Sequence, residues 1–452
     1  MKIIKTLKHK IINHTKIFDQ TITKYNDALS FIINVVNQEF DHIKDLSIKE
    51  MLPVIEKLIH ATKHNPLPKY KDFDVLFYKF PSYFRRSAIA EAFGIVKSYR
   101  SNYANWEQEK KSAEMEDRKL KKSPPKLQPK HKAFPVFYKG NMYQKTGEKT
   151  ALIKIYHQND WVWIEIKFKS QDLYKRDVWG WKENNPTLVK VGKKYFLNIS
   201  YESKVQFPKK KINEQIIVSV DLGLTNSAVC SAITSDGTVL GREFINQPKE
   251  KDRLTTIVNK LKKAQKQSGY ITAPNYWRRI NGLQKHIVNN TAFQIIEFAK
   301  EYKADVIVFE YLDKMKISKG FYGAKKLRFK LQYWAKKGIQ NKVTEMAHYL
   351  GIRISRVNPR NTSALAFDGS GEVERNAKKD LANFTTGKIY HSDLNASYNI
   401  GSRYFLRAIQ KSISEKRWLS LQAKVPELAK RTKQTLASLI SLNQVLNSHN
   451  VA

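Results

Sequence analysis

Three acidic residues stand at the ends of predicted secondary-structure elements, and carboxylates are ligands for divalent cations. Asp221 closes the apolar run IIVSV, Glu310 closes VIVF, and Asp393 precedes a stretch with helical periodicity. Such apolar runs are typical of strands buried on both faces, where an isolated carboxylate is unfavourable. Carboxylates that meet raise each other's pKa unless cations bind between them. Two Mg²⁺ ions about 4 Å apart, or Mn²⁺ in their place, would relieve this repulsion and activate water for phosphodiester cleavage. The three residues therefore predict a metal-dependent nuclease.

Each acid taken alone also fits an ordinary structural role. The sequence Asp221-Leu-Gly223 often marks only a turn, although a glycine there lets the backbone approach a phosphate or a metal ion closely. Glu310 could face solvent at a strand end, and Asp393 could be a helix N-cap. The prediction depends on the conjunction of the three acids on a first strand, a fourth strand and a final helix of one α/β region.

The composition restricts the class of protein and its partners. The 452 residues are too many for one ordinary core, and 41% hydrophobic residues are enough for several packed domains. The 81 basic and 41 acidic residues give a net charge of +40, which favours a polyanionic partner. Nucleic acid fits better than a membrane surface, because no basic amphipathic helix with a strong apolar face lies near a terminus. The single cysteine, Cys230, excludes a disulfide framework and a thiolate zinc site.

In the first half of the sequence, the spacing of hydrophobic residues changes from a helical period to a period of two. Residues 1–14 predict one short strand, and residues 18–117 have a helical period whose apolar stripes indicate the core of a bundle. From residue 134 to residue 207 the period is two, which predicts a small antiparallel β-barrel. The first strand would join this barrel, and the helical segment would be an insertion into it.

Three stretches have compositions that suit nucleic-acid binding. Residues 78–86 interleave aromatic rings with arginines, a mixture that suits base stacking but also the edge of a core. Residues 118–132 carry seven basic residues, three prolines and no acid, so they form either a linker along a phosphate backbone or a solvated tether. The predicted helix over residues 327–350 either faces phosphate or packs its aromatic side under a sheet. The candidate nucleic-acid-binding residues are Tyr78, Tyr83, Arg85, Arg86, Lys121, Lys122, Arg328, Lys330, Lys336 and Arg360.

The second half predicts an α/β RNase H-like domain. Three successive strands, IIVSVDLGL, SAVCSAIT and TVLGREF, precede helices over residues 249–267 and 276–302, the strand VIVFE and the strand IRISRV. A meander of three strands followed by alternating helix and strand is the order of an RNase H-like sheet. Polar residues at the strand ends would place its chemistry at one rim.

The segments that carry the acids resemble the split RuvC motifs of transposon-encoded TnpB proteins and of miniature type V CRISPR effectors. They are Asp221-Leu-Gly-Leu-Thr-Asn-Ser-Ala228, Glu310-Tyr-Leu and Asp393-Leu-Asn-Ala-Ser-Tyr-Asn-Ile400, with Val357-Asn-Pro-Arg-Asn-Thr-Ser363 resembling the segment after the fifth strand. The resemblance extends from residue 214 to about residue 405. The front half matches by architecture, as a wedge-type barrel with a helical recognition insertion.

The resemblance implies a domain order and roles for individual residues. The expected order is a first wedge strand (1–14), a helical recognition domain with a basic linker (15–132), the wedge barrel (133–212), two nuclease parts (213–358 and 392–410) that flank a target-nucleic-acid-binding-like insertion (359–391), and a helical tail (411–452). Asp221, Glu310 and Asp393 would be the catalytic metal ligands. Arg375 and Asn395 would support the scissile phosphate, although each also suits a surface or capping position.

The insertion departs from the pattern of this family. Most relatives carry two C-x-x-C pairs that bind zinc there, whereas residues 362–393 contain no cysteine and His391 alone cannot build a tetrahedral site. We therefore predict no zinc. The insertion would be held together by Leu365, Phe367, Phe384 and Tyr390.

The resemblance implies an RNA-guided DNA endonuclease with two partners, a guide RNA and a target double-stranded DNA that carries a short recognised motif. No membrane and no obligate protein partner is expected, and the expected location is the prokaryotic cytoplasm, in association with the nucleoid. One alternative is a nuclease-inactive RNA-guided repressor, which the presence of all three acids disfavours. The other is a guide-free RuvC-type nuclease or transposase, which the large basic front half disfavours.

Overall fold

The computed structural model describes residues 1–13, 17–120, 122–128, 132–169, 178–223, 225–268, 273–311, 336–377 and 380–448. The chain divides into two compact units, Lys2–Lys204 and Val205–Ala452, and Met1 belongs to the second. No helix among the described residues is long and apolar enough to cross a membrane.

The first unit contains a seven-stranded antiparallel sheet. Its strands are β1 (Lys2–Ile11), β2 (Tyr143–Lys145), β3 (Thr150–His157), β4 (Asp160–Lys169), β5 (Lys182–Glu183), β6 (Thr187–Val191) and β7 (Lys194–Lys204). They lie in the order β2-β3-β4-β1-β7-β5, and β6 also pairs with β7. The N-terminal strand β1 pairs with β7 along nearly its whole length, from Lys2 opposite Lys204 to Lys10 opposite Phe196.

Five helices follow β1 and pack on this sheet. They are α1 (Phe18–Gln38), α2 (Phe40–Ile43), α3 (Ile48–Ile59), α4 (Asp72–Leu76) and α5 (Ser82–Met115). Helix α1 contacts both α5 and β3, so helices and sheet share one hydrophobic core. Within this core the ring centroids of Phe84 and Trp161 are 5.4 Å apart. This arrangement confirms the predicted barrel-type sheet with a helical insertion.

The second unit is built on a five-stranded mixed sheet. Its strands are β8 (Ile216–Asp221), β9 (Ala228–Thr234), β10 (Val239–Ile245), β11 (Val306–Glu310) and β12 (Arg353–Val357). They lie in the order β10-β9-β8-β11-β12. The first three strands form an antiparallel meander, and β11 runs parallel to both β8 and β12. This order confirms the predicted RNase H-like sheet.

Helices cover both faces of this sheet. They are α6 (Pro248–Ser268), α7 (Pro274–Glu301), α8 (Lys336–Tyr349), α9 (Ser392–Ser412), α10 (Glu415–Lys424) and α11 (Leu436–Ser448). The bounds of α6 and α7 agree with the sequence prediction to within two residues. The part of the third predicted helix before Lys336 lies outside the described residues.

Alternating side chains assign the two central acids to one face of the sheet. Ile217 and Val308 pack in the core formed with α9, α10 and α11, whereas Val218 packs in the core formed with α7 and α8. Successive side chains of a strand point to opposite faces. Asp221 and Glu310 therefore lie on the face that α9 covers, and α9 is the helix whose first turn carries Asp393.

Small residues let α9 lie close to the sheet. The hydroxyl oxygens of Ser397 on α9 and Ser231 on β9 are 2.6 Å apart. A Cβ atom added to Gly401 would be 2.6 Å from Cδ1 of Ile233 and 3.2 Å from Oγ of Ser219. Residues four apart share one face of a helix, so the stripe that packs on the sheet continues back to Asp393. This close packing holds Asp393 at the rim where β8 and β11 end.

The insertion between β12 and α9 has its own small core. Its strands are β13 (Glu374–Arg375), β14 (Leu381–Asn383) and β15 (Ile389–His391). Phe367 lies 5.4 Å from Phe384 and 4.8 Å from Tyr390 between ring centroids, so three of the four predicted residues pack together. The fourth prediction was wrong: Leu365 lies outside this cluster, and its neighbour Ala366 is the buried residue.

Replacement of Gly401 by valine should separate α9 from the sheet. The added side chain meets Ile233 and Ser219, and overpacking of this kind costs about 1–3 kcal/mol. We expect a melting temperature lower by roughly 2–4 °C per kcal/mol, measured by thermal unfolding. Gly282→Val on α7 is the matched control, because a Cβ there meets nothing within 4 Å. Equal melting of the two variants would contradict the close packing.

Candidate active site

Asp221 and Glu310 end two neighbouring parallel strands. The register pairs Phe309 of β11 with Val220 of β8, so the next residue on each strand is an acid. Both carboxyl groups belong to the face covered by α9. They therefore stand side by side at the carboxyl edge of the sheet.

Asp393 joins them from the first turn of α9. His391 is the N-cap of this helix, and its Nδ1 accepts a hydrogen bond from the backbone N–H of Asp393 at 3.2 Å. A Cβ atom added to Gly223, two residues after Asp221, would lie 3.2 Å from Oδ2 of Asp393. The absence of a side chain at Gly223 thus makes room for the third acid next to the end of β8.

The carboxyl groups act on one another electrostatically. Burial raises the pKa of Asp221 well above its usual range, and the charges of Glu310 and Asp393 raise it further, whereas Arg375 opposes the shift. Burial also raises the pKa of Glu310, against the hydrogen bond from Thr362 and the charge of Arg403. Partly buried carboxylates that repel one another are stabilised by a bound cation.

The residues present fit divalent cations with a preference for oxygen. Three carboxylates suit Mg²⁺ or Mn²⁺, which prefer oxygen ligands. Among the residues described, no group of three or more His, Cys, Asp and Glu side chains is close enough, as it stands, to hold a metal ion. Uncompensated carboxylates repel one another, and a bound cation would draw them together. The backbone of β8, β11 and α9 places all three acids at the same sheet edge.

Two donors that sequence reasoning missed hold these carboxylates. The hydroxyl of Thr362 donates to Oε1 of Glu310, and Thr362 is almost fully buried. Nδ2 of Asn226 donates to Oδ2 of Asp393 at 3.2 Å. Both residues lie inside the motifs that resemble the RuvC segments, so their motif positions were the available signal.

Two buried or half-buried cations near the acids also escaped the sequence analysis. The guanidinium of Arg403 on α9 donates to the carbonyls of Asn358 and Arg360 at 2.8 and 2.7 Å, and burial lowers its pKa to about 10 although Glu310 opposes this. Nζ of Lys251 donates to the carbonyl of Thr225, and burial lowers its pKa to about 8 against the charge of Asp393. No local pattern in the sequence marks either residue, because the acids on which they act, Glu310 and Asp393, are far away along the chain.

The two predicted phosphate-supporting residues have different surroundings. Arg375 is exposed and donates a hydrogen bond to the carbonyl of Ser363 at 2.6 Å. Its positive charge also opposes the rise in the pKa of Asp221. Asn395 is fully buried: its Oδ1 accepts from the N–H of Phe367, and its Nδ2 donates to the carbonyl of Leu365, both at 2.8 Å. This corrects the expectation for Asn395, which ties the insertion to α9 instead of facing a phosphate.

The candidate nucleic-acid-binding residues of the first unit also differ in burial. Arg85 is 6% exposed, and its Nε and Nη2 both donate to Oε1 of Glu56, at 3.0 and 2.8 Å. This corrects the expectation for Arg85, whose charge is neutralised inside the unit. Arg86 and Tyr78 are exposed, and Tyr83 is half-buried against Tyr138, with ring centroids 4.9 Å apart.

The remaining candidates that the structure describes have exposed or half-buried side chains. Lys122 is exposed and pairs with Glu109 at 3.1 Å. Arg360 is exposed in the loop after β12, and Lys336 begins α8 with a half-buried side chain. Lys121, Arg328 and Lys330 lie outside the described residues.

Comparison with known proteins gives similarities in sequence and in fold. A family model described as the Aq_aa04 family matches residues 4–157. The TnpB-like protein aq_aa05 of Aquifex aeolicus (strain VF5) is 27% identical over 237 residues, which cover 47% of this chain and 74% of that protein. Among solved structures, the mini-RNA-guided endonuclease CRISPR-Cas_phi3 has a TM-score of 0.49 at 11% identity, covering 88% of this chain and 92% of that chain. The Cas12f1–sgRNA–target DNA complex has a TM-score of 0.47 at 15% identity, covering 88% and 98%.

The predicted resemblance is confirmed as a similarity, at 27% identity, to one TnpB-like protein. The strand order of this chain's second unit independently defines an RNase H-like fold.

Replacement of Asp221 by asparagine should stabilise the metal-free protein at neutral pH. A folded-state pKa raised above the unfolded value means that ionisation of Asp221 costs stability, and this cost grows as pH rises above the unfolded pKa. The amide removes the charge at nearly the same volume. We expect a melting temperature a few degrees above that of the parent at about pH 7.5 in EDTA, and a difference that shrinks toward about pH 4. A variant that is less stable at both pH values would contradict the burial and repulsion of this carboxylate.

Replacement of Thr362 by valine should weaken cation binding without removing a ligand. The methyl group cannot donate to Glu310, and loss of such an orienting contact typically costs about 10- to 100-fold in metal affinity or activity. The measurement is the Mg²⁺ concentration that gives half-maximal DNA cleavage. Thr256→Val is the control, since that exposed hydroxyl bonds only the carbonyl of Asp252 in its own helix. An unchanged Mg²⁺ requirement in Thr362→Val would exclude the orienting role.

Proposed function

We propose that this protein is an RNA-guided DNA endonuclease that cleaves phosphodiester bonds with divalent cations held by Asp221, Glu310 and Asp393. The observation that carries the proposal is the convergence of these carboxyl groups, from β8, β11 and α9, at one edge of an RNase H-like sheet. When bound, Mg²⁺ or Mn²⁺ supplies activation of a water molecule and stabilisation of the leaving 3′ oxygen.

The residues around the acids prepare the site for this chemistry. Thr362 and Asn226 orient Glu310 and Asp393, so each carboxylate presents a fixed oxygen. Gly223 keeps the end of β8 clear of a side chain, so a phosphate can approach the backbone there. Arg375 is exposed and acts on the charge of Asp221, so it is placed to neutralise a phosphate oxygen at the same edge.

A guide RNA is the second part of the proposal. The net charge of +40 favours a polyanionic partner, and a guide–target duplex in a basic channel would provide one. The relatives support this interpretation, because CRISPR-Cas_phi3 is described as an RNA-guided endonuclease and Cas12f1 was solved with single-guide RNA and target DNA. We propose that the protein also reads a short duplex motif beside the target.

The alternatives fit these observations less well. A nuclease-inactive repressor has no use for three carboxylates whose mutual repulsion costs stability. A guide-free nuclease would keep the acids but would need no separate 203-residue unit built on a barrel-type sheet and helices.

Replacement of Asp221 by alanine tests the catalytic part. One ligand of the cation site is lost, so we expect cleavage of labelled target DNA in Mg²⁺ to fall by at least about 10³-fold, while RNA binding is retained. The control is Asp252→Ala on the exposed surface of α6, which should cleave like the parent. Undiminished cleavage by Asp221→Ala would refute the site assignment.

Purification from the native host tests the guide. The expected result is one discrete RNA that copurifies with the protein, is removed by RNase and is required for cleavage of a matching DNA. A nucleic-acid-free preparation that cleaves DNA without added RNA would exclude the guided function and leave the nuclease.

A further inference from the structure

An open groove runs between the middle of α5 and the extended segment Lys122–Gln128 in the first unit. Its volume is about 470 Å³, within the roughly 300–1,000 Å³ typical of ligand sites. The polar and aromatic residues that line it, with one glycine, are Glu91, Gly94, Ser98, Tyr99 and Asn102 on the helix and Lys126 and Gln128 on the segment.

The groove is held open by identifiable contacts. The backbone carbonyl of Lys122 accepts a hydrogen bond from Nε1 of Trp106 at 2.9 Å, and Leu127 packs against the core of the unit. The segment is thus fastened to the helix at one end and to the core at the other. Pro125 favours an extended backbone between these points. A Cβ atom added to Gly94 would meet nothing within 4 Å, so the glycine leaves the floor of the groove empty.

A row of aromatic rings leads away from the groove along α5. The ring centroids of Tyr99 and Tyr103 are 6.0 Å apart, and those of Tyr103 and Trp106 are 5.6 Å apart. Nζ of Lys110 lies 5.8 Å from the centroid of Trp106. All three rings are half-buried, so each keeps part of its surface for a partner. Aromatic side chains spaced along a surface are a platform on which successive unpaired bases stack.

The polar groups of the groove match the edge and the phosphate of one nucleotide. Within the described part of the chain, the side chains of Ser98, Asn102 and Gln128 make no hydrogen bond, and Lys126 makes no ion pair. Amide and hydroxyl groups offer both donors and acceptors, as a base edge requires. Lys126 supplies a positive charge at the same place.

We propose that this groove binds an unpaired nucleotide of a single-stranded nucleic acid. The base lies between α5 and the segment against Tyr99, its edge faces Asn102 and Gln128, and its phosphate faces Lys126. The following bases continue over Tyr103 and Trp106. This inference rests on the proposed function, for which it supplies a contact point on the first unit for the unpaired part of the guide RNA or of a DNA strand.

The test is to fill the groove without changing its charge. The full-length protein, freed of bound nucleic acid at high salt, is titrated with a fluorescent oligouridylate or oligothymidylate of about 12 nucleotides, and affinity is measured by anisotropy. Gly94→Leu places a side chain on the empty floor, and Gly94→Ala adds only one methyl group. Gly282→Leu is the matched control, since it is also a helical glycine with nothing within 4 Å of its Cβ position and lies in the other unit.

We expect Gly94→Leu to bind at least about tenfold more weakly, as expected for loss of stacking of one or more bases. Gly94→Ala and Gly282→Leu should bind like the parent. The dependence of log affinity on log salt should be unchanged in Gly94→Leu, because no charge is removed, whereas Lys126→Gln should reduce its slope by about 0.7. A loss confined to oligouridylate identifies RNA as the source of the nucleotide, and a loss confined to oligothymidylate identifies DNA.

Equal affinity of Gly94→Leu and Gly282→Leu for both oligonucleotides would overturn the proposal, as would a parent protein that binds neither. Leucine favours helix over glycine by up to about 1 kcal/mol, so Gly94→Leu should melt no lower than the parent, and misfolding is checked by thermal unfolding. The assay measures binding and not cleavage. Its failure is therefore distinguishable from failure of the nuclease site, which the Asp221→Ala comparison tests.

Discussion

The close packing of α9 on the five-stranded sheet is the constraint on which the site depends. Ser397 and Gly401 bring the helix against Ser231 and Ser219, at a distance that a larger side chain would prevent. The same stripe of the helix carries Asp393, so the packing that stabilises the core also forces a third carboxylate toward two others. Without an ion between them these groups repel one another. The favourable packing energy of the core holds this unfavourable charge arrangement in place.

This tension explains the donors and cations around the acids. Thr362 and Asn226 bind the carboxylates individually, which limits their rotation and fixes which oxygens face the shared edge. Arg403 brings a positive charge into the core beside Glu310 and is itself held by backbone carbonyls. Such a site is poised for cations because binding them removes a repulsion that folding could not avoid. The repulsion between the carboxylates therefore both destabilises the site and makes it bind cations.

The sequence predicted those features that depend on local pattern. The three acids end strand-like or begin helix-like runs, and the succession of strands and helices along the chain follows from the hydrophobic periods, so both were found. Arg85 was assigned to nucleic acid because aromatic and basic residues surround it, yet its partner Glu56 lies 29 residues earlier, and only the fold reveals the pair. Arg403 was missed for the same reason. Asn395 lies two residues after Asp393, but its side chain on α9 faces the interior. Side-chain partners far apart in the chain need the tertiary structure.

The most direct test of the account is the position of divalent ions in crystals grown with Mn²⁺. Anomalous scattering locates the ions independently of the protein atoms. The account predicts density at the edge of the sheet within about 2.0–2.2 Å of carboxylate oxygens from Asp221, Glu310 and Asp393, with the three side chains drawn together around the ions. Ions bound elsewhere, with these carboxyl groups still apart at saturating Mn²⁺, would contradict it.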